Sequence, residues 1–207
     1  MNIITTMEQG SPEWLQIRLG KVTASKMSDV LSKGRGTAPS KTAETYMMEL
    51  IAEKLTGQSK LFFENDAMRW GTETEPQARA MYSINNDFVS VEEVAFVEHN
   101  EFIGISPDGL VGDDGLLEIK CPASVTQIKR ALSDDYAVDY YEQIQCQLWV
   151  TERKWCDFVS FDPRLDCAAG YLQQRVMRDE KFIADMQVKT YTFVERMNEL
   201  ILQLTAE

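Results

Sequence analysis

The segment Ile105-Ser106-Pro107-Asp108-Gly109-Leu110-Val111, followed shortly by Leu116-Leu117-Glu118-Ile119-Lys120, decides the fold of this sequence. It predicts a β-hairpin in which Phe102 to Ile105 forms the first arm and Gly115 to Ile119 the second, with a turn region rich in Gly and Asp between them. Glu118 and Lys120 are two residues apart, so a strand directs both side chains to the same face.

Three charged residues, Asp108, Glu118 and Lys120, lie beside or inside apolar strand sequence. Burying two acids and a lysine on one face is unfavourable unless each charge finds a partner. A divalent cation bound by Asp108 and Glu118, with Lys120 beside it, would offset that cost, and hard oxygen ligands select Mg²⁺ or Mn²⁺ over zinc. The alternative is structural: Glu118 and Lys120 form an ordinary ion pair, and Asp108 only caps a turn.

The composition is typical of a globular protein, since 44% of the 207 residues are hydrophobic and 26% are charged. The length predicts one domain, residues 1–207, with a full core. We expect a cytoplasmic protein without a membrane partner, because no apolar run is long enough for a membrane span and no signal sequence begins the chain. The four cysteines lack zinc spacing and are expected to be buried thiols, and the one histidine, His99, has no partner for zinc binding or nucleophilic catalysis.

The net charge of −12 argues against a simple nucleic-acid binder, for which a basic face is expected. The charge is unevenly distributed, however. Residues 18–60 contain eight basic and four acidic side chains, whereas residues 61–118 contain thirteen acidic and two basic ones. The first region is suited to contact phosphates, and bound metal would neutralise part of the negative charge of the second.

Capping signals and apolar periodicity predict an alternation of helices and strands. Ser11 followed by Pro12 predicts a helix that ends at Gly20, and Leu55 and Met68 are among the helical residues expected to face the core. Further helices are predicted at 23–32, 42–55, 66–83, 123–132, 140–150 and 179–204, strands at 89–97, 102–111, 116–121, 155–161 and 171–177, and a mobile loop at 33–40. Helices before, across and after a central mixed β-sheet make the fold class α/β.

Six short motifs follow one another along nearly the whole chain. They are Arg18-Leu19-Gly20 with Thr23-Ala24-Ser25, Trp70-Gly71 with Glu75, Ser106-Pro107-Asp108-Gly109, Leu117-Glu118-Ile119-Lys120-Cys121-Pro122, Gln143-Ile144-Gln145 before Leu148-Trp149-Val150-Thr151, and Asp162-Pro163-Arg164. In this order the chain resembles the PD-(D/E)xK nuclease superfamily and, within it, the family of phage lambda exonuclease and the YqaJ-like viral recombinases. The resemblance implies a restriction-endonuclease-like fold of the lambda-exonuclease type.

The resemblance also assigns roles to the acidic cluster. It implies that Glu75, Asp108 and Glu118 bind metal, with the backbone carbonyl of Ile119 as an additional ligand, and that two Mg²⁺ ions are bound, for which Mn²⁺ is a plausible substitute. Lys120 resembles the residue that orients or deprotonates the attacking water, and a lowered pKa would suit it to that role. The alternative for Glu75, which precedes a proline, is a solvated acid in a helix.

Further roles follow from the resemblance outside this cluster. Gln143 resembles the helix glutamine that supports the catalytic lysine and the scissile phosphate. Arg18 and Ser25 resemble the pocket for a terminal 5′-phosphate, with Thr23 as a contributor, and Trp14 is a candidate for stacking on unpaired bases. The structural alternatives are a packed amide for Gln143, a surface ion pair for Arg18, a helix cap for Ser25 and a core position for Trp14.

The function implied by the resemblance is a Mg²⁺-dependent 5′→3′ exonuclease that digests linear double-stranded DNA from 5′-phosphorylated ends. It would release mononucleotides and leave 3′ single strands for phage-type recombination by single-strand annealing. Members of the family work as ring-shaped homotrimers with DNA in the central channel and pair with a single-strand-annealing recombinase. The expected location is the cytoplasm of a bacterial or phage-infected cell.

Two other functions are compatible with the sequence. One is a related DNA endonuclease of the restriction or CRISPR-adaptation kind, although an iron–sulfur relative would need clustered cysteine ligands and these cysteines are scattered. The other is a catalytically silent scaffold that binds DNA ends. The presence of all the expected acids and of Lys120 argues against loss of catalysis.

Overall fold

The computed structural model describes residues 1–34, 40–59 and 65–206. Within these ranges the α-helices are α1 (Pro12–Arg18), α2 (Met27–Leu31), α3 (Lys41–Thr56), α4 (Asp66–Asn85), α5 (Ser124–Ala131), α6 (Tyr141–Thr151) and α7 (Glu180–Thr205). The strands are β1 (Asn2–Ile4), β2 (Val22–Thr23), β3 (Val91–Glu92), β4 (Phe96–Glu98), β5 (Ile103–Ile105), β6 (Gly109–Val111), β7 (Gly115–Lys120), β8 (Trp155–Phe161) and β9 (Tyr171–Met177).

The strands form two mixed sheets rather than the single central sheet that the sequence predicts. One sheet has the order β1-β4-β5-β2, and the other has the order β3-β6-β7-β8-β9. In the second sheet β7 pairs antiparallel with β6 and parallel with β8, so it is flanked on both sides. Helices surround both sheets, and the predicted α/β fold class is confirmed.

The predicted hairpin is right in its second arm and wrong in its first. Gly109–Val111, not Phe102 to Ile105, pairs antiparallel with β7, while Ile103–Ile105 pairs with β4 in the other sheet. Pro107 has no N–H group and cannot continue a strand ladder, so the chain leaves one sheet and enters the other at this point. Residues 106–108 therefore form a link between the two sheets.

The ends of the first helix follow the predicted capping chemistry. The Ser11 hydroxyl accepts a hydrogen bond from the backbone N–H of Trp14 at 3.2 Å, and Pro12 is the first helical residue. Gly20, which follows the helix, has a φ of +63°, a backbone conformation that favours glycine. Asn65 likewise caps α4 by accepting from Met68 N at 2.9 Å, and α4 continues across Pro76.

Two other local predictions need correction, and a third is only partly described. Val22–Thr23 is a short strand parallel to β5, and the helical structure predicted from Thr23 begins after it as a 3₁₀ turn at Ala24–Lys26, which leads into α2. Leu55 and Met68, predicted to face the core, are 47% and 41% exposed. Of the predicted loop at 33–40, residues 35–39 lie outside the described residues.

Side-chain alternation on β7 divides the core between its two faces. Leu116 belongs to the larger cluster, which includes residues of α2, α3, α6 and α7, whereas Leu117 and Ile119 pack with Ala78 and Tyr82 of α4. Because alternate side chains of a strand share a face, Glu118 lies on the same side as Leu116, toward α6. The two faces thus bring different helices to one strand.

The cysteines are unpaired in the described part of the chain. Cys146 and Cys156 are buried as predicted, Cys121 is half-buried, and Cys167 is exposed, contrary to the prediction of buried thiols. Among the described residues, no helix combines the length and the apolar character that crossing a membrane requires.

Candidate active site

A cleft of about 380 Å³ opens where β7 ends. The first half of α4 forms one wall, and the end of β7 with the residues that follow it forms another. The side chains that line it are Ala67, Met68, Gly71, Thr72, Glu75, Asp108, Ile119, Lys120, Cys121, Pro122 and Tyr140. Met68, which was predicted to face the core, therefore faces this cleft instead.

Glu118 is the most enclosed member of the acidic cluster, with only 1% of its surface exposed. Its Oε1 accepts hydrogen bonds from the Lys120 ammonium and from Gln143 Nε2, the latter at 2.5 Å. Its Oε2 accepts from Gln147 Nε2 at 2.7 Å. Two amides, four residues apart on α6, and one lysine on the same strand therefore fix both oxygens of this carboxylate.

Asp108 lies in the link between the two sheets and is oriented by β7. Its Oδ2 accepts a hydrogen bond from the backbone N–H of Ile119 at 2.6 Å. Burial raises the pKa of Asp108 well above its ordinary value, and the charges of Glu118 and Glu75 raise it further, against the opposing effect of Lys120. The carboxylates are thus close enough to repel one another, as a cation-binding cluster requires.

Glu75 reaches the cluster from α4 and is held by Arg79, one helical turn later. Arg79 Nη2 lies 2.5 Å from Glu75 Oε1 and also donates to the backbone carbonyl of Asp108 at 3.1 Å. Its Nη1 lies 3.0 Å from Glu93 Oε2. Burial raises the pKa of Glu75, the charge of Arg79 opposes this, and the charge of Glu118 adds to it.

Lys120 is an ammonium in this arrangement. Burial alone lowers its pKa, but the charges of Glu118 and then Asp108 more than offset this, so the pKa is raised above its ordinary value. With no metal ion bound, the neighbouring acids outweigh the apolar strand, and the lowered pKa of Lys120 expected beside bound cations stays a prediction. The ammonium also lies 5.1 Å from the centre of the Tyr140 ring.

The donor set fits a hard divalent cation in its chemistry. It consists of carboxylate oxygens whose mutual repulsion a cation would relieve. In residues 1–34, 40–59 and 65–206, no three acidic, histidine or cysteine side chains already stand together as a metal-binding group. Lys120 and the α6 amides donate to Glu118, and Arg79 donates to Glu75. A cation would take the place of Lys120 at Glu118 and of Arg79 at Glu75, while the amides could remain bonded to Glu118.

Arg18 lies on the other side of the 106–108 link, at the end of α1. Its Nη1 donates to Ser106 Oγ at 3.1 Å, and its guanidinium stacks on the Trp14 ring at 4.0 Å from the centroid. The Trp14 indole N–H also points to Ser106 Oγ, at 3.0 Å, and to the carbonyl of Ala95, at 2.9 Å. Burial lowers the pKa of Arg18 to about 10, against the raising effects of Tyr46 and Glu53.

A second cleft, of about 250 Å³, adjoins this arginine. Thr23 and Arg18 both line it, and its other charged residues are Lys21, Lys26, Glu49 and Glu53, so basic residues outnumber acidic ones by three to two. Ser25, the other residue predicted for the phosphate pocket, is exposed within the 3₁₀ turn and is not among the residues that line this cleft. It also lies inside the turn rather than at its cap, which removes the capping alternative.

The structure brings most predicted residues together and adds others. Glu75, Asp108, Ile119 and Lys120 share one cleft, and Glu118 is bonded to Lys120. Gln143, predicted to support Lys120, donates to Glu118 instead. Residues that the sequence prediction did not assign are Gln147, Arg79 and Ser106. The four-residue spacings from Gln143 to Gln147 and from Glu75 to Arg79 are the signals that could have found the first two.

Comparisons with known proteins agree with this architecture. Residues 13–154 match the YqaJ-like viral recombinase domain, and the chain belongs to that family. An uncharacterised protein of Acanthamoeba polyphaga mimivirus is 32% identical over 172 residues, or 75% of this chain. The chain spans only 29% of the length of that curated relative.

Solved structures of exonucleases are also similar to this chain. The chain is similar to a crystal structure of the alkaline exonuclease LHK-Exo from Laribacter hongkongensis, with a TM-score of 0.85 and 41% identity, covering 94% of this chain and 96% of that one. A complex of LHK-Exo with dAMP matches equally well. A phage-related exonuclease from Haemophilus somnus 129PT shares the fold, with a TM-score of 0.72 and 18% identity, over 89% of this chain and 96% of that one. The resemblance seen in the sequence is confirmed, and the family and the structural match support a nuclease role.

Proposed function

We propose that the protein is a Mg²⁺-dependent 5′→3′ exonuclease that acts on linear double-stranded DNA and releases mononucleotides. The observation that carries the proposal is that Asp108 and Lys120 line one cleft, with the buried Glu118 bonded to Lys120, while Arg18 is joined to the same link through Ser106. A cation site next to an anion site is the arrangement that hydrolysis of a terminal phosphodiester needs.

The residues of the cleft suit phosphodiester hydrolysis. Mg²⁺ held by Asp108 and Glu118, with Glu75 and the Ile119 carbonyl as further ligands, would supply an activated water and stabilise the leaving oxygen. The Lys120 ammonium is suited to hold the attacking water and the phosphate by hydrogen bonds and charge. Gln143 and Gln147 keep the Glu118 carboxylate in one orientation from α6.

The arginine pocket supports the choice of substrate end. Arg18 is buried, its pKa is lowered, and an anion placed beside it would restore the lost solvation of the guanidinium. Arginine binds phosphate through two parallel N–H donors, which suits a terminal 5′-phosphate. A 5′-phosphate held there, with Thr23 in the same lining, would fix the register of the next bond. The complex of the similar exonuclease LHK-Exo with dAMP is consistent with a mononucleotide product.

The biological setting is proposed on family membership. We expect a homotrimeric ring, with two Mg²⁺ ions at each active site, that leaves 3′ single strands for a single-strand-annealing recombinase in the cytoplasm of a bacterial or phage-infected cell. Arg18 covers one face of the Trp14 ring, so stacking of an unpaired base on that face would require Arg18 to move.

Digestion of two duplex DNAs tests the proposal. One substrate is linear with 5′-phosphates and the other is a covalently closed circle, each incubated with Mg²⁺ or with EDTA. Loss of the linear DNA alone, and only with Mg²⁺, is expected, and a label at each end then gives the polarity. Nicking of the circle would assign the protein to the endonucleases, and binding without cleavage would favour a silent end-binding scaffold.

A further inference from the structure

A second arginine is fixed in place at the rim of the catalytic cleft. Arg164, in the loop after β8, is anchored by Asp162, whose side chain is fully buried. The Asp162 carboxylate accepts hydrogen bonds from Arg164 Nε at 2.7 Å, Arg164 Nη2 at 3.0 Å and Arg164 N at 3.1 Å. Ser124 Oγ donates to the same carboxylate at 2.6 Å. The anchor is therefore saturated and rigid.

The guanidinium of Arg164 stacks on an aromatic ring and remains partly exposed to solvent. One face lies on the Trp70 ring, 4.0 Å from its centroid, while 47% of the side chain stays exposed. Nη2 is also 3.5 Å from the carbonyl oxygen of Pro122. In the described part of the chain, Nη1 has no hydrogen-bond partner, so one N–H edge and one face are directed to solvent. The entropy cost of ordering this side chain is already met before any ligand binds.

Arg164 and Arg18 each contact a residue that lies two positions from a catalytic residue in the chain, and the antiparallel pairing of β6 with β7 brings these two contact residues toward the same end of the sheet. Arg18 contacts Ser106, two residues before Asp108, and Arg164 contacts Pro122, two residues after Lys120. Two residues span at most about 7 Å of chain, so each arginine is close to the catalytic cluster. A DNA strand whose terminal 5′-phosphate lies in the Arg18 pocket has its other phosphates at or beyond the scissile bond on the 3′ side, so a phosphate bound by Arg164 would belong to that side.

The charge of the cleft gives a reason for a cation at this position. Among the residues that line the cleft, Lys120 is the one base, against the acids Glu75 and Asp108. Metal ions bound by these acids would offset their charge at the scissile phosphate itself, whereas the phosphates farther along the strand would meet a fixed cation only at the rim. We propose that Arg164 binds a backbone phosphate of the cleaved DNA strand, on the 3′ side of the scissile bond. This inference rests on the proposed exonuclease function and extends it to a second phosphate position.

Neutral phosphates test the contact directly. A 5′-phosphorylated duplex is prepared with a single methylphosphonate at each of the first three phosphates 3′ of the scissile bond, in turn. The wild-type protein is expected to show KM raised by roughly 10-fold or more at one of these positions, as for loss of a hydrogen bond to a charged group. On unmodified DNA, the KM of the Arg164→Gln variant is expected to be raised by a similar factor. A methylphosphonate at the sensitive position should then raise the KM of this variant no further.

A matched set of variants separates DNA binding from a purely structural role. Arg164→Lys keeps a charge beside Asp162, and Arg196→Ala removes another exposed, ion-paired arginine on α7. Duplex affinity is measured in EDTA at several salt concentrations. The salt-dependence slope is expected to fall by about 0.9 for Arg164→Gln, to change less for Arg164→Lys, and to stay unchanged for Arg196→Ala.

The outcomes distinguish the two proposals. If the wild-type protein does not digest linear DNA, the proposed function fails. The inference fails separately if linear DNA is digested but the effects of the methylphosphonate and of Arg164→Gln on KM are additive. It also fails if the salt-dependence slope of Arg164→Gln equals that of Arg196→Ala, because Arg164 would then be structural. Thermal unfolding accompanies each assay. If Arg164→Gln does not fold, Arg164→Lys is used in its place. A smaller effect of the methylphosphonate on the KM of Arg164→Lys than on that of the wild type supports the contact, and an equal effect overturns it.

Discussion

The cleft at the end of β7 and the pocket at the end of α1 lie on either side of the 106–108 link, yet their charges are unbalanced in opposite directions. In the cleft, burial and mutual repulsion raise the pKa of Asp108 and of Glu75. In the pocket, burial lowers the pKa of Arg18 to about 10, and its contacts are a hydroxyl and an aromatic ring. One region is suited to gain a cation and the other an anion.

A buried ion pair elsewhere in the sheet shows what a balanced site looks like. Asp157 is fully buried, accepts from Arg175 Nε and Nη2 at 2.8 Å each, and accepts from the Tyr82 hydroxyl at 2.7 Å. Each oxygen of that carboxylate is satisfied by a protein donor. Buried charge therefore does not indicate function by itself, whereas incompletely balanced charge beside a cleft does.

The largest expected effect comes from neutralising the cation site. Asp108→Asn keeps an oxygen that can accept from Ile119 N but removes the charge. Cleavage is expected to fall by roughly 10³-fold or more, because the ion supplies several kcal/mol of charge stabilisation. Mg²⁺ should raise the unfolding temperature of the wild-type protein but not of the variant, and in EDTA the variant should unfold at a higher temperature, since repulsion is relieved.

The control for this change is Asp113→Asn, an exposed acid in the turn of the same hairpin. Its cleavage rate and its stabilisation by Mg²⁺ should match the wild type. Wild-type turnover in Asp108→Asn, measured with the same linear DNA, would contradict the metal assignment.

A smaller effect is expected from the anion site. Arg18→Lys keeps the charge but loses the two-pronged geometry that matches a phosphate. The ratio of kcat/KM for 5′-phosphorylated over 5′-hydroxyl ends should fall by roughly 10-fold to 100-fold, while 5′-hydroxyl ends are cleaved as before. Gln16→Ala, on the exposed side of α1, serves as the control. An unchanged ratio in Arg18→Lys would remove the 5′-phosphate assignment.

The sequence was sufficient for features that depend on local chemistry. Ser11 and Asn65 identify their helix starts because a side-chain oxygen must accept from the first turn. Asp108, Glu118 and Lys120 were found because charge inside an apolar strand needs a partner. The strands Trp155–Phe161 and Tyr171–Met177 were bounded correctly.

Features that depend on distant parts of the chain could not be predicted in the same way. The first arm of the hairpin was misplaced because two apolar runs, on either side of Pro107, can each pair with β7, and only tertiary packing selects one. The contact of Arg18 with Ser106 joins residues 88 positions apart, so no local pattern indicates it. Gln147 lacked an assigned role because its four-residue spacing from Gln143 places both amides on one face of α6 but does not show that Glu118 of β7 lies opposite that face.

The smallest expected effect concerns the amides that orient Glu118 within the cation site. Gln147→Met removes the hydrogen bond to Glu118 Oε2 and should lower kcat by roughly 10-fold, as for residues that orient metal ligands. Gln145→Met is the matched control, because Gln145 is equally buried on α6 but bonds the carbonyl of Met177 and the N–H of Asp179. Both variants should unfold at a lower temperature than the wild type. At temperatures where both remain folded, only Gln147→Met should lose activity and need more Mg²⁺ for half-maximal rate. Equal losses of activity in the two variants would mean that α6 contributes packing alone, and that the orientation of Glu118 does not limit the reaction.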